Sequence, residues 1–209
     1  IEIMANKNKE VLLGPLSSNN PVLIQVLGIC SALAVTSQLK PALVMGLSVT
    51  AVLAFANVII SLIRNTIPTR IRIIVQLVVV AALVTIVNEV LKAYVYDISK
   101  QLSVYVGLII TNCILMGRLE AFALGHKPWE SFLDGVGNGV GYGMVLLIIG
   151  FVRELLGNGS IFGFRVIPQS FYDAGYANFG LMNMAPMALI ILACIVWVQR
   201  SYNKNLQEA

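Results

Sequence analysis

The feature that most constrains this chain is a set of long stretches without a single Asp, Glu, Lys or Arg. A transmembrane helix needs about 20 consecutive apolar residues, and a shorter stretch can form a half-helix within the membrane. The sequence therefore predicts six membrane segments: Val11–Leu39, Pro41–Ile63, Ile73–Asn88, Gln101–Gly117, Gly135–Val152 and Ala174–Gln199.

Composition excludes the soluble protein classes. Of the 209 residues, 11% are charged and 58% are hydrophobic, whereas about 25% of a soluble domain is charged. A chain with so few charges cannot cover a globular surface with polar groups. The six stretches also lack the alternation of polar and apolar residues that membrane strands require, so helices must satisfy the backbone. We therefore expect an all-α integral membrane protein.

The basic residues lie singly near the ends of the stretches, which indicates topology rather than a patch for nucleic acid. If all six segments cross the lipid bilayer, nine basic residues share one side with both termini, and five lie on the other side. The positive-inside rule then places both termini in the cytoplasm. The opening residues Ile1–Asn20 lack the features of a signal peptide.

A weak internal repeat divides the membrane region into two halves. Cys30 lies 34 residues before Arg64, and Cys113 lies 40 residues before Arg153, with each arginine ending a similar apolar phrase. Three helices in each half would make the second half enter the membrane from the opposite side. The sequence predicts two inverted three-helix repeats with each cysteine on a short half-helix. The boundaries are a cytoplasmic N-terminal segment, 1–20, the repeats, 21–98 and 99–200, and a cytoplasmic tail, 201–209.

The two repeat-related cysteines are the candidate ligands. Inverted repeats bring equivalent positions together near the bilayer midplane, so Cys30 and Cys113 are expected to face each other there. Two thiolates are half of the four-thiolate ligand set of an iron–sulfur cluster, and a partner with the same arrangement would supply the rest. The alternative is that both are small, soft apolar residues that only pack. Cys194 has no counterpart in the other repeat, and we interpret it as a packing residue.

Several phrases resemble a known family. From about Ser18 to Gln199, in the same order and at similar spacings, the chain closely resembles the family of D subunits of bacterial Na⁺-translocating NADH:quinone reductases. The likeness weakens in the loop Phe162–Phe179 and in the tail. The phrases that carry it are Asn19–Pro21, Gln25–Thr36, Ser61–Asn65, Gly107–Cys113 and Gly117–Ala123.

This resemblance implies a place in an enzyme of six subunits in the bacterial inner membrane. In that family, the D subunit and its homologue, the E subunit, lie in opposite orientations, and each gives two cysteines to a shared iron centre, taken as a [2Fe–2S] cluster. The family cysteines fall on Cys30 and Cys113. The centre relays electrons between partners that carry the NADH site and the flavins, among them the B, C and F subunits, and electron flow drives Na⁺ export. The resemblance implies no catalytic residue in this chain.

The glycine-rich stretch is interpreted as a packing surface. Gly135, Gly139 and Gly143 lie four residues apart on one helix face, the pattern that lets membrane helices approach closely. The spacing does not match a dinucleotide-binding or phosphate-binding loop.

The remaining charged residues give no clear ion site. The carboxylates lie at or near segment ends and are expected to be interfacial or partner-facing; they are Glu89, Glu120, Asp134 and Glu154. Arg118 is expected to pair with Glu120, and His126 is expected to be solvated. The sequence assigns no Na⁺-binding residue.

Three other functions remain open at this point. The E subunit of the Rnf ferredoxin:NAD electron-transport complex belongs to the same family, although Ser31–Thr36 and Gln101–Gly107 look more like the quinone-reductase version. A secondary transporter would also show inverted repeats and broken helices, but it would bind a solute and hold no iron. A purely structural scaffold would not need its cysteines for electron flow.

Overall fold

The computed structural model describes residues 11–16, 20–68, 70–94, 107–161, 164–165 and 180–202. Within these ranges the chain is helical except for loops and one antiparallel pair of two-residue strands, β1 (Ser160–Ile161) and β2 (Phe164–Arg165). Short 3₁₀ turns cover Gly14–Leu16 and Gly180–Asn183. The all-α prediction is confirmed. The helices are α1 (Ile29–Val35), α2 (Leu39–Ile63), α3 (Arg72–Tyr94), α4 (Cys113–Arg118), α5 (Pro128–Asn158) and α6 (Ala185–Tyr202).

Four of the helices are long and apolar enough to cross a membrane, namely α2, α3, α5 and α6. They coincide with the predicted second, third, fifth and sixth segments. The first and fourth segments contain α1 and α4, which have seven and six residues and are too short to cross, and residues 11–13 and 107–110 are also helical. These two short helices carry Cys30 and Cys113, as the sequence predicts, and we call them the half-helices. A total of six crossings stays a prediction.

Some predicted features lie outside the described residues. They include the N-terminal segment before Val11, the beginning of the fourth segment at Gln101, the beginning of the sixth at Ala174 and the tail beyond Tyr202.

The core of the fold is the contact between α2 and α5. A Cβ on Gly139 would lie 2.6 Å from the Cα of Thr50, and one on Gly135 would lie 2.8 Å from the Cα of Ala54. Along α5 from Gly135 to Gly143 the contacted residue of α2 moves back from Ala54 to Gly46, so the two helices run antiparallel. The predicted packing role of the glycines is confirmed, because only residues without side chains allow this approach.

The opposite face of α5 receives the N-terminal part of the chain. A Cβ on Gly137 would lie 2.7 Å from the carbonyl oxygen of Leu12, and one on Gly141 would lie 2.8 Å from that of Pro15. The helix α5 is therefore enclosed between α2 and the segment 11–16.

The helices α3 and α6 lie at the periphery. Their buried hydrophobic residues are few, namely Val80, Val84, Ala188 and Leu192, whereas many large apolar side chains on both helices are exposed. An apolar surface of this kind is suited to lipid or to neighbouring membrane proteins.

Candidate functional site

The first half-helix begins at a sharp turn. Gly28 precedes α1 with φ of 82°, in the left-handed region that favours glycine. Its absent side chain also matters, because a Cβ there would lie 3.0 Å from the ring of Tyr142. The turn places Cys30 in the first turn of α1.

The second half-helix begins with a conventional side-chain cap. Asn112 is the N-cap of α4, and its Oδ1 accepts a hydrogen bond of 3.2 Å from the backbone N–H of Ile114. Cys113 is the first residue of the helix. After Arg118 the chain continues into a π-helical turn, Leu119–Ala123, before it reaches α5.

The starts of the two half-helices meet at one buried hydrogen-bonded cluster. Ser31 Oγ donates to the carbonyl oxygen of Gly28 at 2.8 Å and lies 2.5 Å from the hydroxyl of Tyr142. Asn112 Nδ2 donates to Ser31 Oγ at 3.2 Å and to the Tyr142 hydroxyl at 3.4 Å. All three side chains are nearly inaccessible, with exposed fractions of 2% for Ser31, 4% for Asn112 and 0% for Tyr142. We call Ser31, Asn112 and Tyr142 the polar junction.

The polar junction brings the two candidate ligands into one region. Cys30 is the chain neighbour of Ser31, and Cys113 is the chain neighbour of Asn112. Consecutive Cα atoms are about 3.8 Å apart, so each cysteine lies one peptide unit from a residue of the junction. Both thiols are free and exposed on the isolated chain.

The donor set available here is two thiols. Among the residues that the structure describes, no three His, Cys, Asp or Glu side chains group closely enough to hold a metal ion. Two exposed thiols, each one residue from the polar junction, are the kind and number of donors that make up half of a four-thiolate site. Cys194 is also exposed, but it lies in the middle of α6 rather than at a helix start.

The expected pair between Arg118 and Glu120 is wrong. Arg118 forms a salt bridge with Asp134, whose side chain is 3% exposed, and Asn138 Nδ2 donates to the same carboxylate at 2.9 Å. Glu120 instead forms a salt bridge with Arg72. Residues 118 and 120 are close in sequence, but they point to different helices because residues two positions apart in a helical segment do not share a face.

The carboxylates divide into exposed and buried groups. Glu89 is exposed and bonds to Lys92 at 2.7 Å, and its interfacial position stays a prediction. Asp134 and Glu154 are buried within the chain, and the partner-facing expectation is wrong for both. Glu154 accepts a 2.6 Å hydrogen bond from the backbone N–H of Leu39, at the start of α2.

His126 is less solvated than expected. Its ring stacks on Phe122 with centroids 3.9 Å apart, and Nδ1 lies 3.1 Å from the carbonyl oxygen of Phe122. Its backbone carbonyl accepts hydrogen bonds from Ser61 Oγ at 2.7 Å and Arg64 Nη1 at 2.8 Å.

Arg153 is the largest fully buried side chain of the described chain, with 1% of its surface exposed. It donates to Thr36 Oγ1 at 2.6 Å, just beyond α1, and to the carbonyl oxygens of Met182 and Asn183 at 3.0 Å each. It also reaches the more distant carbonyl oxygens of Leu33 and Met184. The guanidinium thereby joins the end of the first half-helix to the segment before α6.

Sequence reasoning missed the polar junction. Tyr142 lies between Gly141 and Gly143, and the glycines alone directed attention to that stretch. A usable signal was present, because a tyrosine hydroxyl in a close-packed apolar helix needs a hydrogen-bond partner. Its partners could not be named from the sequence, since Ser31 is 111 residues away.

Comparison with known proteins adds independent information. Residues 8–196 match the family described as "Rnf-Nqr subunit, membrane protein". The chain is 53% identical over 205 residues to a protein of Shewanella sp. (strain W3-18-1) that is named as the D subunit of the Na(+)-translocating NADH-quinone reductase, with 98% of each chain covered. Proteins of the same name from Shewanella sp. (strain ANA-3) and Shewanella oneidensis are 54% identical, again over 98% of each chain.

Proposed function

The chain belongs to the Rnf-Nqr family of membrane proteins, and on that premise we propose that it works as the D subunit of a Na⁺-translocating NADH:quinone reductase in a bacterial inner membrane. The relatives of that name share more than half of its residues over almost its full length. The family named from the sequence phrases is thereby confirmed. The same family also includes Rnf proteins, but the similarity to proteins named as D subunits of the quinone reductase favours that enzyme.

Within that enzyme, we assign Cys30 and Cys113 as ligands of an iron–sulfur centre. The observation that carries this assignment is the contact between Ser31 and Asn112, which joins the starts of the two half-helices one residue from each cysteine. A cluster held by thiolates supplies one-electron redox chemistry. The part of this chain is to hold two thiols at a fixed separation on an exposed surface.

A homologous partner is the proposed source of the other ligands. Two thiols are half of the usual four, and the exposed position of Cys30 and Cys113 leaves their sulfur atoms accessible to another protein of the complex. The E subunit in the inverted orientation would present an equivalent pair. The B, C and F subunits would carry the flavins and the NADH site, and this chain would have no catalytic residue of its own.

Two contacts support the inverted-repeat arrangement on which this partnership depends. The alignment that matches Arg64 with Arg153 also matches Gly46 with Gly135 and Ala54 with Gly143. The observed packing pairs are Gly46 with Gly143 and Ala54 with Gly135, so each pair is the repeat image of the other. Inverted repeats require the contacts of the two long helices to be exchanged in this way, as any antiparallel pair centred on the contact of Thr50 with Gly139 also does.

The arginines near the ends of α2 and α5 also make matching contacts, each with the other half of the chain. Arg64, at the end of α2, donates to the backbone carbonyl of His126, between α4 and α5. Arg153, near the end of α5, donates to Thr36, between α1 and α2. In each half, an arginine thus donates a hydrogen bond to the connection between the half-helix and the long helix of the other half. With inverted repeats and the distribution of basic residues, both termini would lie in the cytoplasm.

The test uses the membrane complex purified without oxygen. Cys30→Ala and Cys113→Ala should each lose about two irons per complex, with the matching acid-labile sulfide, and should stop electron transfer from NADH to quinone. Cys194→Ala is the matched control, because it removes an exposed thiol away from the half-helix starts. Unchanged iron and turnover in the first two variants would leave the cysteines as packing residues and the chain as a scaffold. Electron transfer from ferredoxin to NAD⁺, in place of quinone reduction, would assign the chain to an Rnf complex.

A further inference from the structure

We infer that Tyr142 is a positioning residue for the iron centre, acting through Ser31 and Asn112 to hold the two cysteine-bearing half-helices at a fixed separation. The inference rests on the proposed role of Cys30 and Cys113 and adds a residue that acts on them through other side chains. Its basis is the geometry of the polar junction.

The donor and the acceptor can be assigned for each hydrogen bond of the junction. Ser31 has one hydroxyl hydrogen, and the carbonyl oxygen of Gly28 accepts it at 2.8 Å. The Tyr142 hydroxyl must then be the donor in its 2.5 Å contact with Ser31 Oγ. Asn112 Nδ2 donates to both hydroxyl oxygens, and Asn112 Oδ1 accepts from the backbone of α4. The chain of bonds therefore runs without a gap between the backbone at the start of α1 and the backbone at the start of α4.

Tyr142 supplies the rigid part of this connection. Its ring lies against Gly28, within 3.0 Å of the position of a Cβ, and Asn112 Oδ1 lies 3.5 Å from that position. The residue belongs to α5, which the contacts of Gly139 and Gly143 hold tightly against α2. A hydroxyl on such a helix has a fixed position. The starts of both half-helices are therefore hydrogen-bonded to the same fixed group of the core, through Ser31 and Asn112.

Because the junction is buried, the loss of its hydrogen bonds should cost free energy. All three polar side chains are at least nine-tenths buried, and no water can readily replace the Tyr142 hydroxyl in a site of this kind. Without that hydroxyl, Ser31 Oγ and Asn112 Nδ2 each lose one partner, and the half-helix starts are joined by a single 3.2 Å bond. The separation of Cys30 and Cys113 should then vary more.

Tyr142→Phe is the direct test, because it removes the hydroxyl and keeps the ring against Gly28. Tyr202→Phe is the matched control, since Tyr202 is 88% exposed. The first measurement is the spectrum and midpoint potential of the intramembrane centre in the purified complex. Tyr142→Phe should broaden the signal and shift the potential, and Tyr202→Phe should leave both as in the wild type. A residue that only fills space would not change either property when its ring is retained.

The second measurement does not depend on bound iron. In the iron-depleted complex carrying Cys194→Ala, a short bifunctional thiol reagent should link Cys30 to Cys113, and the linked peptides can be counted by mass spectrometry. Loss of the two buried hydrogen bonds of the Tyr142 hydroxyl should lower the initial rate of linking by about fivefold or more in Tyr142→Phe. Ser31→Ala, which removes the central hydroxyl, should lower it at least as much, and it provides the same test if Tyr142→Phe fails to assemble.

The outcomes separate this inference from the proposed function. Equal spectra, potentials and linking rates in Tyr142→Phe, Ser31→Ala and Tyr202→Phe would overturn the positioning role, even if the wild type holds iron at the two cysteines. A wild-type complex that holds no iron at Cys30 and Cys113 would overturn the proposed function and, with it, the role of Tyr142 toward the centre. The linking rates would then report only whether Tyr142 joins the half-helices.

Discussion

The two halves of the chain build the same sequence of elements with different local chemistry. The first half-helix begins at Gly28 through a left-handed backbone conformation, without a side-chain cap, and the second begins at Asn112 through a side-chain hydrogen bond. The first ends at Val35, with Thr36 as its C-cap, whereas the second continues into a π-helical turn from Leu119.

The arginines that end the long helices differ in the same way. Arg153 is buried and donates to several oxygens, whereas Arg64 is half-buried and donates to the carbonyl of His126, which Ser61 also contacts. The same order of a short helix followed by two long helices is therefore built from different residues in the two halves. Matched substitutions in the two halves should have unequal effects, and the size of each effect should follow the local contacts.

The largest effect is expected where the two halves share one contact. Gly139→Ala would place a Cβ 2.6 Å from the backbone of Thr50, so α2 and α5 would have to separate along their length. We expect a destabilisation of about 3 kcal/mol or more and little assembled complex in the membrane, measured by the amount of this chain that co-purifies with its partners.

Gly107→Ala is the control for that variant, because no atom of the described residues lies within 4 Å of the position of its Cβ. Equal yields of complex from Gly139→Ala and Gly107→Ala would contradict the glycine contact as the basis of the core.

The next largest effect should separate the two arginines. Arg153→Ala would remove the donor to the fully buried Thr36 Oγ1 and to the partly buried carbonyl oxygens of Met182 and Asn183, and we expect it to cost about 2 kcal/mol. Arg64→Ala should cost about 0.5 kcal/mol, because the carbonyl of His126 keeps its bond from Ser61. The measurement is the temperature at which this chain leaves the solubilised complex. A larger loss for Arg64→Ala would reverse the comparison of the two halves.

The starts of the half-helices should differ by a smaller amount. Gly28→Ala forces a side chain into a left-handed conformation and against the ring of Tyr142, at a cost of about 1.5 kcal/mol. Asn112→Asp keeps an acceptor for the cap of α4 but removes the Nδ2 donor, so it should cost about 1 kcal/mol and act mainly on the junction. The same thermal measurement applies, and tolerance of Gly28→Ala without loss would show that the first half-helix does not need this turn.

The smallest predicted effect is a gain in stability. Val26 has φ of 57°, although a β-branched residue disfavours that conformation. Val26→Gly should relieve this strain and stabilise the complex by about 0.5 kcal/mol, after allowance for the greater freedom of glycine in the unfolded chain. A lower dissociation temperature for Val26→Gly would mean that the exposed valine side chain makes contacts in the complex that outweigh the strain.

Sequence reasoning succeeded where the signal was local. The segments α2, α3, α5 and α6 followed from the absence of charges, and the cysteines lie on short helices as predicted. It failed for Asp134, which is buried against Arg118, because proximity to a segment end does not say which way a side chain points. The role of Tyr142 was missed because its partners come from two other parts of the chain.

By itself, the sequence determined the membrane class, the helical fold, the glycine face of α5 and the two candidate ligands, Cys30 and Cys113. These properties follow from the bilayer, which imposes helix length and apolar composition on each segment separately. Only the tertiary structure decided that α2 and α5 pack antiparallel, that Arg118 pairs with Asp134 and that Tyr142 joins the two half-helices. These contacts depend on how helices that are far apart in the chain rotate and approach each other. A rotation of one helix by a single residue position would change the contact partners of all its side chains.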